Sequence, residues 1–148
     1  MKSFAAIGVA LALCATAAGA DSGTAALGEF GLLDAIWAPD CGKEPSPSNW
    51  YGRYRTLPAN GASLTFSSRV GGEGELAYVI LDARRVSPRE ILIVMEFMQE
   101  KRQLEIVLEV EADRYRTVSA KRPDGAYQIK DGKLIDDGSD SPWYHRCR

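Results

Sequence analysis

Residues that form turns recur at intervals of about ten from position 58 onward, and no other feature narrows the fold so far. They are Pro58-Ala59-Asn60-Gly61, Gly71-Gly72-Glu73-Gly74, Ser87-Pro88, Pro123-Asp124-Gly125, Asp131-Gly132 and Asp137-Gly138. Glycine and asparagine accept the left-handed backbone of a tight turn, while proline presets φ and donates no ladder hydrogen bond. Such spacing predicts an all-β antiparallel meander.

The segments between the turns alternate as half-buried strands do. Leu104, Ile106, Leu108 and Val110 point one way, and Glu105, Glu109 and Glu111 the other, with Val107 the one apolar residue on the outer side. Hairpin register can be tested from this pattern, because a slip by one residue sends every side chain to the wrong face. A turn centred on Glu100-Lys101 sets Phe97, Met95, Ile93 and Ile91 opposite Leu104, Ile106, Leu108 and Val110. A two-residue turn at Ala112-Asp113 then sets Val110 against Tyr115, Leu108 against Thr117 and Ile106 against Ser119. On the outer face it pairs Glu111 with Arg114 and Glu109 with Arg116. Each opposite-charge pair contributes only about 0.2 to 1 kcal/mol, but its agreement with the apolar pairing supports the register. Backward, a turn over Arg85 to Pro88 sets Ile80, Tyr78 and Leu76 against Ile93, Met95 and Phe97. Leu64, Phe66 and Val70 join the same face if the Gly72-Glu73-Gly74 connection has an odd count.

One signal competes. Ser87-Pro88-Arg89-Glu90 fits a helix capping box with proline in the first turn. The β-branched Ile91, Ile93 and Val94 and a nearly continuous apolar run from 91 to 97 favour a strand instead.

The first twenty residues read as an address. Lys2 precedes a small and apolar run ending in Ala18-Gly19-Ala20, the order of a secretory signal with cleavage after Ala20. The run is too short and alanine-rich for a membrane span. Leu13 before Cys14 is not the small residue that lipoprotein processing requires. Cleavage leaves 17 basic against 20 acidic side chains, a net charge of -3, which removes the electrostatic basis for nucleic-acid binding. A periplasmic or secreted location follows.

Of three cysteines, Cys41 and Cys147 survive cleavage, one near each end of the mature domain. In an exported chain they read as a disulfide. Closing a loop of about a hundred residues contributes on the order of 4 to 5 kcal/mol in the chain-entropy model. Leu27, Phe30, Leu33 and Trp37 are spaced for a short helix leading into a strand at Ile36-Trp37, and Pro142-Trp143-Tyr144 suggests a closing strand. Bridged ends make the first and last strands neighbours, so the expected architecture is one domain over 21–148, a barrel of about eight strands without free edges.

The segment Asp40-Cys41-Gly42-Lys43-Glu44-Pro45-Ser46-Pro47-Ser48-Asn49, with Asp131-Gly132-Lys133 and a tail containing Pro142-Trp143 and Cys147, resembles a group of small exported proteobacterial proteins. The resemblance implies a shared fold and export and carries no activity. More loosely, a tryptophan on the first strand, a meander and an arginine on the last strand are similar to the calycin barrels, which include lipocalins. The lipocalin G-x-W start is absent, since Ala35-Ile36-Trp37 has no glycine. Ligand binding by that route is analogy.

No catalytic constellation is present. The single histidine, His145, has no nucleophile beside it in sequence. Asp131, Asp136, Asp137 and Asp140 lie among glycines and fit turns at least as well as a cation loop, which needs six or more oxygens in order. The expectation is a non-enzymatic protein without cofactor or metal. Its inferred inner face mixes large apolar side chains with small hydroxyls. Phe66, Ser68, Tyr78, Met95, Tyr115 and Thr117 are the candidate contacts for one small apolar or amphipathic ligand, the alternative being a core filled by side chains. Trp50, Tyr51 and Tyr54 are a candidate surface for an envelope protein, in which case the chain is an inhibitor or assembly factor. Packed beneath the Gly42 to Asn49 loop, they would be a satellite core.

Overall fold

The computed structural model describes residues 22–72 and 74–148; the signal sequence expected at 1–20 lies outside the described residues. After a short helix α1 (Ser22–Glu29) come ten strands: β1 (Ile36–Ala38), β2 (Tyr51–Leu57), β3 (Gly61–Ser67), β4 (Leu76–Ser87), β5 (Glu90–Phe97), β6 (Arg102–Val110), β7 (Arg114–Lys121), β8 (Tyr127–Lys130), β9 (Lys133–Leu134) and β10 (Tyr144–Cys147). Each of β1 to β7 pairs antiparallel with the next, and β10 bridges β1 and β7, closing an eight-stranded barrel. The meander is as expected, and so is the strand at Met95.

Closure is asymmetric. The first half of β7 meets β10 through Tyr115↔Tyr144, whereas its second half meets β8 through Ala120↔Ile129. The wall therefore forks at β7, and β8 with β9 fills the gap above the short β10. The Cys41–Cys147 disulfide fastens the seam, with Cα atoms 5.4 Å apart.

Register follows the alternation with corrections. Between β6 and β7, Val110↔Tyr115, Leu108↔Thr117 and Glu109↔Arg116 stand as expected. A bulge next to Val107 then moves Ala120, not Ser119, opposite Ile106 and into the core. The β5–β6 turn sits one residue earlier than expected, at Met98 to Lys101, with Lys101 in the left-handed conformation (φ 54°) and its N–H donating to the Phe97 carbonyl. Met95 thus faces Leu104 and Ile93 faces Ile106. The shift is two residues in pairing, so every inner side chain remains inside. The β4–β5 hairpin turns later than expected, at Pro88-Arg89, and two bulges restore the parity. The skipped residues, Leu81 and Val86, are left 50% and 43% exposed. Val70, expected on the inner face, is exposed, because the β3–β4 connection begins before it.

The helix closes one end of the barrel. Leu27 and Leu32 are fully buried, and Gly23 lies so close that an added Cβ would sit 3.4 Å from the Ala83 nitrogen. Thr24 Oγ1 donates to the Asn60 carbonyl at 2.5 Å, and Glu29 pairs with Arg85 at 3.1 Å. Trp37, Tyr54, Ile91, Ile93, Met95 and Leu108 complete a contiguous core. Each such side chain contributes about 1.5 to 3 kcal/mol by burial.

Candidate functional site

At the end of the barrel away from α1 the core does not close. A cavity of about 180 Å³ lies there, lined by Tyr54, Leu64, Phe66, Tyr78, Met95, Leu104, Ile106, Leu108, Tyr115, Thr117, Ala120, Gln128, Ile129 and Tyr144. Aromatic rings build its seam side. Tyr115 meets Trp37 edge-on at 5.1 Å and stacks on Tyr144 at 5.3 Å, and Tyr144 meets Phe66 edge-on at 6.1 Å. Such pairs add about 0.5 to 1.5 kcal/mol beyond area burial and hold the rings in place. Gly52 is part of the design, because any Cβ there would lie 2.8 Å from the Phe66 ring.

Tyr115 is the chemically distinctive residue. It is only 3% exposed, and its hydroxyl has no hydrogen-bond partner among the described residues. The Tyr54 hydroxyl is its polar neighbour, and the interaction between the two contributes to the shifted ionisation of both. Burial pushes the Tyr54, Tyr115, Tyr144 and Tyr78 hydroxyls above the usual tyrosine range. All four are neutral at physiological pH. Among the described residues no Asp, Glu, Lys, Arg or His lines the cavity, so they offer hydroxyls and one amide to a ligand but no counter-charge.

Five of the six candidate ligand contacts, Phe66, Tyr78, Met95, Tyr115 and Thr117, come together on this cavity. Ser68 does not. It lies beyond the end of β3, where its N–H and Oγ both donate to Glu75 Oε2, at 3.2 and 2.6 Å. The aromatic trio proposed as a partner surface divides. Tyr54 is 1% exposed and belongs to the interior, because Arg53 and Arg55 take the outer side of β2 and leave Gly52 and Tyr54 the inner one. Trp50 and Tyr51 are half-buried and fasten their own loop: Trp50 Nε1 donates to the Pro47 carbonyl at 3.0 Å, and the Tyr51 hydroxyl to the Lys43 carbonyl at 2.7 Å. Buried Asn49 donates to the carbonyls of Asp40, Lys43 and Glu44 and completes that loop.

Sequence reasoning did not assign Tyr54, Leu64, Leu104, Gln128, Ile129 and Tyr144 to the ligand site. The charges flanking Tyr54 were a usable signal. For Gln128 and Ile129 there was none, since β8 enters the wall only through the fork.

The remaining polar candidates are occupied locally. Asp137 accepts from the Ser139 N–H and Oγ, which lowers its pKa, and Asp140 pairs with Lys133 at 2.7 Å. Asp131 sits in a turn at φ 53°. No metal-ligating group of three or more His, Cys, Asp or Glu occurs among the described residues. His145 is exposed, and its carbonyl faces both disulfide sulfurs. No helix among the described residues is long and apolar enough to cross a membrane.

No protein-family model, curated protein or solved structure matches the chain.

Proposed function

We propose that this protein is a non-enzymatic, exported binding module whose barrel holds one small neutral ligand with an apolar body and a single polar group. The observation that carries the reading is Tyr115, a residue of the cavity wall whose buried hydroxyl has no hydrogen-bond partner among the described residues. Leaving such a group unsatisfied costs about 1 to 3 kcal/mol, and a ligand oxygen on the same wall offsets that cost. Export accords with the sequence of the first twenty residues and with the disulfide, which suits an oxidising compartment.

Size restricts the ligand. Sites for drug-sized molecules run to about 300–1,000 Å³, while an engineered apolar cavity of about 150 Å³ takes one benzene. At about 180 Å³ the space suits a single ring with one substituent and not a long acyl chain. The absence of charged lining residues selects a neutral compound, because an ion would lie in the interior without a partner.

Phenol and benzene form a probe pair that differs by one hydroxyl. Titrated into the disulfide-bonded protein and followed by tryptophan fluorescence and NMR, phenol is expected to bind about five-fold more tightly, the worth of one neutral hydrogen bond. Tyr115→Phe is expected to erase that difference and retain benzene binding. If neither probe shifts the resonances of Thr117, Met95 or Tyr144, the interior is a closed core and the proposal fails.

A further inference from the structure

A second site lies on the outside of the barrel, independent of the interior. The outer faces of β1, β2 and β3 form the floor of a groove of about 450 Å³, flanked by Pro45 on one side and by the glycine-rich loop carrying Arg69, Gly71, Gly72 and Gly74 on the other. Strand alternation puts Arg53 and Arg55 side by side on this floor, two residues and about 7 Å apart along β2, with Thr65 directly opposite Arg53. Neither arginine forms an ion pair among the described residues, whereas the arginines of the β6–β7 side of the wall do. Arg89, Arg114 and Arg116, for example, share Glu109 and Glu111 as partners.

Two further observations point to a ligand. Ser67 lines the same groove, and its buried hydroxyl has no hydrogen-bond partner among the described residues. The flanking loop is also held in advance. Glu75 accepts from Ser68 and pairs with Arg69 at 2.6 Å, an arrangement that holds its carboxyl below the usual range. Arg69 is thus kept at the groove edge with its charge already balanced. Arg53 and Arg55 remain, among the described residues, as two guanidinium groups without a carboxylate partner, in a protein of net negative charge. Neighbouring arginines on one strand are suited to a tetrahedral or planar oxyanion, which they grip by charge-assisted and bidentate hydrogen bonds.

We propose that this groove binds the phosphate or carboxylate group of an anionic ligand, with Arg53 and Arg55 as the charged contacts. The ligand body lies over Ile36, Pro45 and the Tyr51 ring, the apolar part of the groove. The same oxyanion chemistry occurs on a free organic phosphate and on an anionic lipid headgroup, and the test separates the two.

The disulfide-bonded protein is titrated with inorganic phosphate by NMR, and is floated with phosphatidylcholine vesicles with and without phosphatidylglycerol. Arg53→Gln and Arg55→Gln are each expected to weaken binding by about tenfold, the loss of one charge-assisted contact. Arg84→Gln, which alters an exposed arginine outside the groove, is expected to leave binding unchanged and so controls for overall charge. Thermal unfolding confirms that each variant is folded. Saturable phosphate binding that depends on Arg53 and Arg55, without vesicle binding, identifies a free anion. Vesicle binding with the same dependence identifies a headgroup. Absence of both, or equal loss in Arg84→Gln, overturns the proposal.

Discussion

Tyr115→Phe tests the interior most sharply, because its expected sign is opposite to that of an ordinary core substitution. Most changes to a buried side chain destabilise, and Tyr115 to alanine would cost about 3 to 5 kcal/mol through the cavity it opens. Phenylalanine instead keeps the ring, so the contacts with Trp37 at 5.1 Å and Tyr144 at 5.3 Å survive. Only the hydroxyl is lost, and it has no partner among the described residues. Its burial costs about 1 to 3 kcal/mol in mutational series, part of which the unfolded state recovers. The variant is therefore expected to be more stable by about 1 kcal/mol, an increase of about 3 to 5 °C in melting temperature for a domain of this size. Urea unfolding under oxidising conditions reads the free energy, and an unchanged denaturant slope would show that compactness is unaltered. Excess phenol should close the gap, because a five-fold tighter site gains about 1 kcal/mol over the variant at saturation. A loss of 1 kcal/mol or more in Tyr115→Phe without any ligand would mean that the hydroxyl is already bonded within the fold. The ligand reading would then lose its main support.

Two further perturbations address the frame around the site. Replacing Cys41 and Cys147 by serine removes a cross-link of 106 residues in sequence separation; in the chain-entropy model this costs on the order of 4 to 5 kcal/mol. Hydrogen exchange should quicken first in β10 and β1, and uniform quickening across all strands would contradict the seam as the weak point. Glu111 accepts from Arg114 and Arg89, chiefly Arg114, which holds its carboxyl below the usual range. A lowered folded-state pKa adds stability above the unfolded value of about 4.3 and loses it as pH falls through the folded value. Glu111→Gln should therefore be less stable than the native protein at pH 7, and the gap should close in acid. A gap independent of pH would show that the ion pairs contribute nothing.

The strands were legible because the outer residues are charged and the inner ones are not. Glu105, Glu109, Arg114 and Arg116 marked the outside of β6 and β7 unambiguously, and Pro88 and the asparagine and glycine turns marked where strands end. Pairing partners were legible only in part. A shift of two residues keeps every face correct, so hydrophobic alternation cannot distinguish Met95 opposite Leu104 from Met95 opposite Ile106. The actual choice was made by the turn conformation of Lys101 and by the bulges that skip Leu81 and Val86. Tyr54 lies inside for a different reason: Arg53 and Arg55 on either side of it take the outer face, which separates it from its sequence neighbours Trp50 and Tyr51.

Local chemistry in the chain thus determined that this is a closed antiparallel ribbon with joined ends, since alternation, turn residues and two cysteines are properties of neighbouring positions or of simple counting. Whether its interior is filled, and where, depended on distances between residues far apart in sequence. Gly52 admits the Phe66 ring, β10 stops short enough for β8 to enter the wall, and Tyr115 ends up among rings that supply no hydrogen-bond partner to its hydroxyl. Volume and polar satisfaction are sums over several strands, so only the assembled barrel decided them.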